Sequence, residues 1–155
     1  MYKKIYSRGI NYQFQIDFID MSNFEIENDG YRWFIMIIDI FSKKAWACKI
    51  KRKDGKTILE VMKPFLEENT PKKIEFDQGK EFYYKPFLEL LRKLRIVHFS
   101  VYSDNRCPIV KLFNTTLKTQ KYHSFKIRGN RKWTDILQDL VDDHNDSINK
   151  LNDLK

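Results

Sequence analysis

The feature that most constrains the fold is a run of ten residues at positions 31–40, with the sequence YRWFIMIIDI. The run is rich in aromatic and β-branched side chains and stays apolar at successive positions, so both faces of a strand formed here would be apolar. An alternating strand can face water on one side, whereas this strand needs cover on both sides. The run therefore predicts an interior strand of a sheet with helices on each face.

Two further strands are predicted on either side of this run. Residues 12–21 interleave apolar and polar side chains, as strands do. Residues 28–30, Asn-Asp-Gly, contain the Asp-Gly signal of a turn. A short connection over 41–44 leads to a third strand over 45–50. Three consecutive strands joined by short connections predict an antiparallel meander.

The second half of the chain alternates between helical and strand patterns. The predicted elements are helices over 58–66 (with Pro64 as a kink), 87–94, 109–125 and 133–144 and short strands over 73–76 and 96–99. Strands that alternate with helices pair in parallel. We therefore predict an α/β domain: a five-stranded mixed sheet, an antiparallel meander plus parallel strands, covered by helices on both faces.

The length of 155 residues fits one domain. We expect residues 1–11 to be a flexible basic lead-in and residues 12–155 to form the domain. The longest apolar run is far shorter than the ~20 residues that span a bilayer, and no signal peptide opens the chain, so we expect no membrane partner. Cys48 and Cys107 have no paired spacing, which favours a reducing, intracellular location, the nucleus in a eukaryotic host.

The chain carries 29 Lys and Arg against 21 Asp and Glu, a net charge of +8. An excess of this size favours a polyanionic partner, nucleic acid first and an anionic membrane second, although a basic surface can also be merely solvated. Basic residues cluster near the third and fourth predicted helices, and the candidate DNA contacts are Lys118, Lys121, Lys126, Arg128, Arg131 and Lys132. A solvated basic face is the alternative for this cluster.

Two carboxylates lie in or just after predicted strands, where the functional groups of an α/β sheet are usually found. Asp17 lies inside the first predicted strand, and Asp77 follows the fourth. A carboxylate inside a strand is costly unless it has a partner or faces a cleft. Functional groups gather at the carboxyl ends of parallel strands, and two Asp side chains there would suit Mg²⁺ or Mn²⁺. The alternative is that Asp77-Gln-Gly is an ordinary turn.

Several ordered blocks of sequence resemble the catalytic cores of retroviral-type integrases, and most of all those of Polinton (Maverick) elements and related viruses. The resemblance extends over residues 13–149. The matching blocks are FQIDFIDM (14–21), NDGYRWFIMIIDIFSKKAWA (28–47), FDQGKEF (76–82), HFSVYSDN (98–105), IVKLFNTTLK (109–118) and RGNRKW (128–133). The resemblance implies a ribonuclease-H-like fold, DNA as a partner and cores that form homodimers.

The resemblance also implies a site of three carboxylates, Asp, Asp and Glu, that hold two Mg²⁺ or Mn²⁺ ions for in-line attack on a phosphodiester. The first two positions correspond to Asp17 and Asp77. The third corresponds to Lys111, 34 residues after Asp77, where the family has Glu. Leu112 and Thr115 also replace basic residues of the family pattern.

Lysine in place of the third carboxylate changes the formal charge of the site from −3 to −1. We expect Lys111 to bridge Asp17 and Asp77 and to take the place of the cation, so that metal binding is weak or abolished. The alternative is that Lys111 points to solvent and leaves the site merely incomplete.

Three functions remain open from the sequence. The first is an integrase-derived core, catalytically impaired at Lys111 and retained for binding DNA or protein. The second is an active Mg²⁺-dependent strand transferase or nuclease that uses Asp17, Asp77 and a substitute carboxylate. The possible substitutes are Asp20, Asp39, Glu81 and Asp104. The third is a self-associating structural module. None of the three implies a small-molecule substrate.

Overall fold

The computed structural model describes residues 9–21, 28–76, 80–100, 107–128 and 133–153. In this part of the chain five strands form one sheet, and helices cover both of its faces. The elements are β1 (Gln13–Asp20), β2 (Trp33–Asp39), β3 (Ala45–Ile50), α1 (Gly55–Glu68), β4 (Lys73–Phe76), a 3₁₀ turn (Lys80–Tyr83), α2 (Lys85–Lys93), β5 (Val97–Ser100), α3 (Pro108–Arg128) and α4 (Trp133–Asp153).

The strand order across the sheet is β3-β2-β1-β4-β5. The first three strands pair antiparallel, and β4 pairs in parallel with both β1 and β5. This is the mixed sheet that the sequence predicted. The parallel pairs require crossovers, and α1 and α2 provide them. The carboxyl ends of β1, β4 and β5 therefore lie at one end of the sheet.

The largest difference from the predicted boundaries concerns the helices. The structure extends α4 to Asp153, nine residues beyond the predicted end at His144. After His144 the helix has only two apolar residues, Ile148 and Leu151, and Leu151 is exposed, so the helical pattern is weak there. Pro64 lies inside α1, which continues to Glu68. The predicted Asp-Gly turn is confirmed: Asp29 and Gly30 have φ angles of 58° and 83°, a conformation that glycine adopts without strain.

Strand β2 contributes to both hydrophobic cores, which explains its continuous apolar run. Ile35 and Ile37 are buried on the face that α1 and α2 cover. Phe34 and Met36 are buried on the opposite face, beneath α3 and α4. Full burial of such side chains is worth about 1.5–3 kcal/mol each. The predicted interior strand is confirmed.

The hairpin between β2 and β3 is fixed by the buried carboxylate of Asp39. It accepts hydrogen bonds from the backbone N–H groups of Asn11 and Phe41, both at 3.2 Å, and from the Ser42 hydroxyl at 2.8 Å. Its hydrogen-bonding capacity is therefore used in the turn.

The flexible lead-in predicted for residues 1–11 lies mostly outside the described residues, and the domain boundary stays a prediction.

The outer edge of β3 is covered by α4. The Asn145 amide accepts from Ala45 N–H at 2.9 Å and donates to Ala45 O at 2.8 Å, as a neighbouring strand would. This side chain blocks further strand pairing at that position.

Across the described ranges, no helix combines the length and the apolar character that crossing a bilayer demands.

Candidate active site

Two buried polar side chains of the sheet anchor the first turn of α3. Gln15 of β1 accepts hydrogen bonds through Oε1 from the N–H groups of Ile109 and Val110, at 2.9 and 3.0 Å. Its Nε2 donates to Glu75 Oε2 of β4 at 2.8 Å. The first N–H groups of a helix have no partner within the helix, so a side chain from elsewhere has to satisfy them. Gln15 does so from β1.

Glu75 completes this anchor from the neighbouring strand. Gln15 and Glu75 are directly paired in the parallel register of β1 and β4. The second Glu75 oxygen accepts from Cys107 N–H at 3.2 Å, immediately before the helix. A carboxylate at this position also interacts favourably with the positive end of the helix dipole. The anchor fixes the start of α3 over β1.

Asp17 lies two residues after Gln15 and therefore on the same face of β1, beneath α3. Its carboxylate accepts a hydrogen bond from Asn114 Nδ2 at 3.2 Å. The ammonium of Lys111 lies 3.7 Å from Asp17 Oδ2. Lys111 and Asn114 are three residues apart in α3, so both side chains reach the same carboxylate.

The burial of these groups differs. The Asp17 side chain is 14% exposed, that of Lys111 is 38% exposed, and Asn114 is buried. Lys111 is therefore directed at Asp17 rather than away from it, and it keeps access to solvent. Asp77 lies outside the described residues. The last described pair between β1 and β4 is Ile16 with Phe76, and Asp17 and Asp77 are the next residues of the two segments. The contact of Lys111 with Asp77 stays a prediction.

Among the described residues, Asp17 and Asn114 bring side-chain oxygen atoms to this site. Asp17 supplies one carboxylate, and Asn114 Oδ1 is buried without a hydrogen-bond partner among the described residues. Mg²⁺ requires oxygen ligands at 2.0–2.1 Å, and a two-metal site needs several of them around cations 3.5–4 Å apart. Lys111, which the resemblance aligns with the third carboxylate, places its ammonium 3.7 Å from Asp17. No three acidic, histidine or cysteine side chains converge as metal ligands within the ranges that the structure covers.

The three possible substitute carboxylates that the structure describes lie in different environments. Asp20 is exposed and an odd number of residues from Asp17, so strand alternation turns it to the other face of the sheet. Asp39 is used in the β2–β3 turn. Glu81 has one buried oxygen, Oε2, with no hydrogen-bond partner in the described part of the chain. Asp104 lies outside the described residues.

The predicted DNA contacts fall largely beyond what the structure describes. Lys118, Lys121, Lys126 and Arg128 lie on α3, but only their backbone is described. Arg131 and Lys132 precede α4 and lie outside the described residues. The DNA contacts of this set stay a prediction.

Sequence reasoning missed Gln15, Glu75 and Asn114 as parts of the site. A signal for the first two was present, because a polar residue between apolar ones in an interior strand needs a buried partner. The signal for Asn114 was its spacing of three from Lys111. The partners themselves are set by tertiary contacts between residues up to 97 positions apart.

The family model described as the integrase core domain matches residues 9–101. An uncharacterized transposon-derived protein of Caenorhabditis elegans is 36% identical over 132 residues, which are 84% of this chain and 46% of that protein. The chain thus spans about half the length of this curated relative.

Two solved structures share the fold. A chain of the simian T-cell lymphotropic virus intasome, solved with the PP2A regulatory subunit B56 gamma, superposes with a TM-score of 0.74 at 20% identity, over 91% of this chain and 51% of that one. The catalytic core domain of HTLV-2 integrase, solved as a dimer with magnesium, gives 0.67 at 16% identity, over 85% and 84% of the two chains. The ribonuclease-H-like fold predicted from the sequence is confirmed.

Proposed function

Because this chain belongs to the integrase core domain family, we propose that it is a DNA-binding core derived from a transposon integrase, in which Lys111 impairs metal-dependent strand transfer. The observation that supports this most directly is the ion pair between Lys111 and Asp17 at 3.7 Å. The pair places a fixed positive charge at the first carboxylate of the site.

The effect of Lys111 on a cation follows from charge. At 3.7 Å and an effective dielectric constant of 20, a unit pair attracts by about 4 kcal/mol before desolvation. Lys111 is 38% exposed, so the net contribution of the pair to stability is about 1 kcal/mol or less. Its consequence for metal is larger, because a divalent cation near Asp17 would meet a repulsive ammonium in place of an attractive carboxylate.

The surrounding residues keep this arrangement in place. Gln15 and Glu75 hold the first turn of α3, and Asn114 orients the carboxylate of Asp17. The site therefore retains a rigid frame although its third carboxylate is gone. The Lys111 side chain keeps partial access to solvent, so its ammonium can also approach a DNA phosphate, which supports retained DNA binding without metal.

The proposed partner, assembly, metal binding and location rest on family membership and on net charge. The net charge of +8 suits a nucleic-acid partner, and we propose self-association as a homodimer, as the HTLV-2 integrase core was solved. Mg²⁺ or Mn²⁺ would bind weakly or not at all. We further propose origin from a Polinton (Maverick) type element and, in a eukaryotic host, residence in the nucleus.

The proposal is tested with a fluorescent DNA duplex of about 25 base pairs, with binding measured by anisotropy in EDTA and in Mg²⁺. We expect equal affinity in the two buffers, and an affinity that falls as salt rises. In parallel, the labelled duplex is incubated with Mg²⁺ or Mn²⁺, and we expect no cleavage or strand transfer above the level of Asp17→Asn.

Two outcomes would contradict the proposal in different ways. Cleavage in Mg²⁺ that is lost in Asp17→Asn would show an active site that uses a substitute carboxylate. Absence of any duplex binding at 50 mM salt, with dimers that persist at high salt, would favour a self-associating structural module instead.

A further inference from the structure

Two lysines at the end of the edge strand β3, Lys49 within it and Lys51 just after it, converge on one tyrosine. The ammonium groups of Lys49 and Lys51 lie 4.6 and 5.0 Å from the centroid of the Tyr31 ring. Both lysines are exposed, and Tyr31 is half-buried against the core beneath α3 and α4. Arg32, also exposed, lies beside them with its guanidinium 4.7 Å from the Trp33 ring. We call Tyr31, Arg32, Lys49 and Lys51 the basic face.

The basic face lies at the same end of the sheet as Asp17. The antiparallel register pairs Asp17 with Met36 and Met36 with Ala47. Lys49 is two residues beyond Ala47 and therefore on the same face of the sheet as Asp17. Standard strand spacings place the Cα atoms of Lys49 and Asp17 roughly 12 Å apart.

Two like charges meet at the Tyr31 ring of the basic face, and the exposed Asp29 lies two residues before Tyr31 in sequence. Because both ammonium groups sit on one ring, they are separated by no more than about the Debye length of 10 Å at 0.1 M salt, so they repel each other. Asp20, at the end of β1, is turned to the opposite face by strand alternation. Asp54 is used at the start of α1, where it accepts from Thr57 N–H at 2.8 Å. An anion bound between the two lysines would relieve their repulsion.

The start of α4 is attached at the same place. Thr134 N–H donates to Asn28 Oδ1 at 3.3 Å, and Tyr31 N–H donates to Asn28 O at 3.0 Å. Asn28 thus joins the turn that contains Tyr31 to the first residues of α4. Hydrogen bonds of the backbone therefore fix the turn that carries Tyr31, in addition to the contacts of the Tyr31 ring with the two lysines.

We propose that the basic face is a contact surface for the phosphates of duplex DNA, separate from the basic set on α3, and that it holds the duplex beside Asp17 and Lys111. This inference rests on the proposed DNA binding. Duplex DNA carries one charge per 1.7 Å of axis with both strands counted, so roughly 12 Å of axis carries about seven phosphates on the two strands together. Lysines that are pre-positioned on a ring lose less freedom when they contact a phosphate than free ones.

The test compares two double variants of equal charge change by anisotropy with the same duplex in EDTA. Lys49→Gln/Lys51→Gln removes the two lysines of the basic face. Lys72→Gln/Lys93→Gln is the control, because both are exposed and lie at the opposite end of the sheet. Thermal melting confirms that each variant is folded.

We expect the basic-face variant to bind about tenfold more weakly at 0.1 M salt, with the slope of log K against log salt reduced by about 2. The control should weaken binding by no more than about twofold. If both variants weaken binding equally, the basic face is not the contact surface, although DNA binding stands. If the unmodified chain binds no duplex, the proposed DNA binding fails together with this inference. Tighter binding of an RNA duplex through the same lysines would overturn DNA as the partner.

Discussion

The anchor of α3 gives the sharpest stability prediction. In Gln15→Leu the side chain keeps nearly the same volume but loses its amide, so the change removes hydrogen bonds without opening a cavity. Three groups lose their partner: the N–H groups of Ile109 and Val110, and Glu75 Oε2. We expect this variant to be strongly destabilised although no apolar contact is lost.

The magnitude follows from the number of groups left without a partner. A buried donor or acceptor without a hydrogen bond costs about 1–3 kcal/mol. Ile109 is only half-buried, so its N–H group can form a hydrogen bond with water that offsets part of this cost. We expect a loss of about 3–5 kcal/mol in the free energy of unfolding, a large share of the ~5–15 kcal/mol typical of a domain.

The assay is guanidinium unfolding followed by circular dichroism, with thermal melting as a second measure. A loss of this size lowers the melting temperature by roughly 10 °C in a chain of this length. The matched control is Gln138→Leu, because the Gln138 amide donates only across the surface of α4, to Asp142. It should change stability by less than about 0.5 kcal/mol. A loss below about 1 kcal/mol in Gln15→Leu would refute the anchor.

Two further predictions concern the start of α1. A Cβ built on Gly55 would lie 2.3 Å from the Tyr84 ring. Gly55→Ala should therefore destabilise the domain by about 1–3 kcal/mol, and by much less in a Tyr84→Ala background. An equal loss of stability in both backgrounds would contradict the clash. The hydrogen bond from Thr57 N–H lowers the pKa of Asp54 in the folded chain. The Asp54 carboxylate therefore stabilises the fold above its unfolded-state pKa of about 3.9, and this stabilisation is lost as pH falls through the lower folded-state pKa. The stability difference between the unmodified chain and Asp54→Ala, measured by denaturation across pH 2–7, should shrink at the acid end; a constant difference would exclude this role.

The sheet could be predicted from the sequence because its signals are local. The apolar run of β2, the Asp-Gly turn and the change from strand to helical period each depend on a few neighbouring residues. The end of α4 was predicted nine residues early, since after His144 only Ile148 and Leu151 are apolar and Leu151 is exposed. The helix continues there although its apolar signal is weak.

The site was predictable only in part. Asp17 and Lys111 could be named from the family pattern, but their separation of 3.7 Å depends on how α3 docks on β1. That docking is set by Gln15 and Glu75, whose partners are distant in sequence. The basic face was missed because Tyr31 and Lys49 meet only when β2 and β3 pair.

The central claim is that the ammonium of Lys111 takes the place of a cation at Asp17. The direct measurement is thermal melting with increasing Mg²⁺, on the unmodified chain, on Lys111→Glu and on Lys111→Gln. Lys111→Glu restores a carboxylate beside Asp17, so it should melt lowest without metal. Metal at a hundredfold excess over its dissociation constant adds about 2.7 kcal/mol, which is roughly 5–10 °C here.

We predict that only Lys111→Glu gains this stability, that Lys111→Gln does not, and that Asp17→Asn combined with Lys111→Glu abolishes the gain. The opposite result would be an equal Mg²⁺-dependent rise in the unmodified chain that is lost in Asp17→Asn. That result would mean that a divalent metal binds at Asp17 despite Lys111, and the account of an impaired site would be wrong.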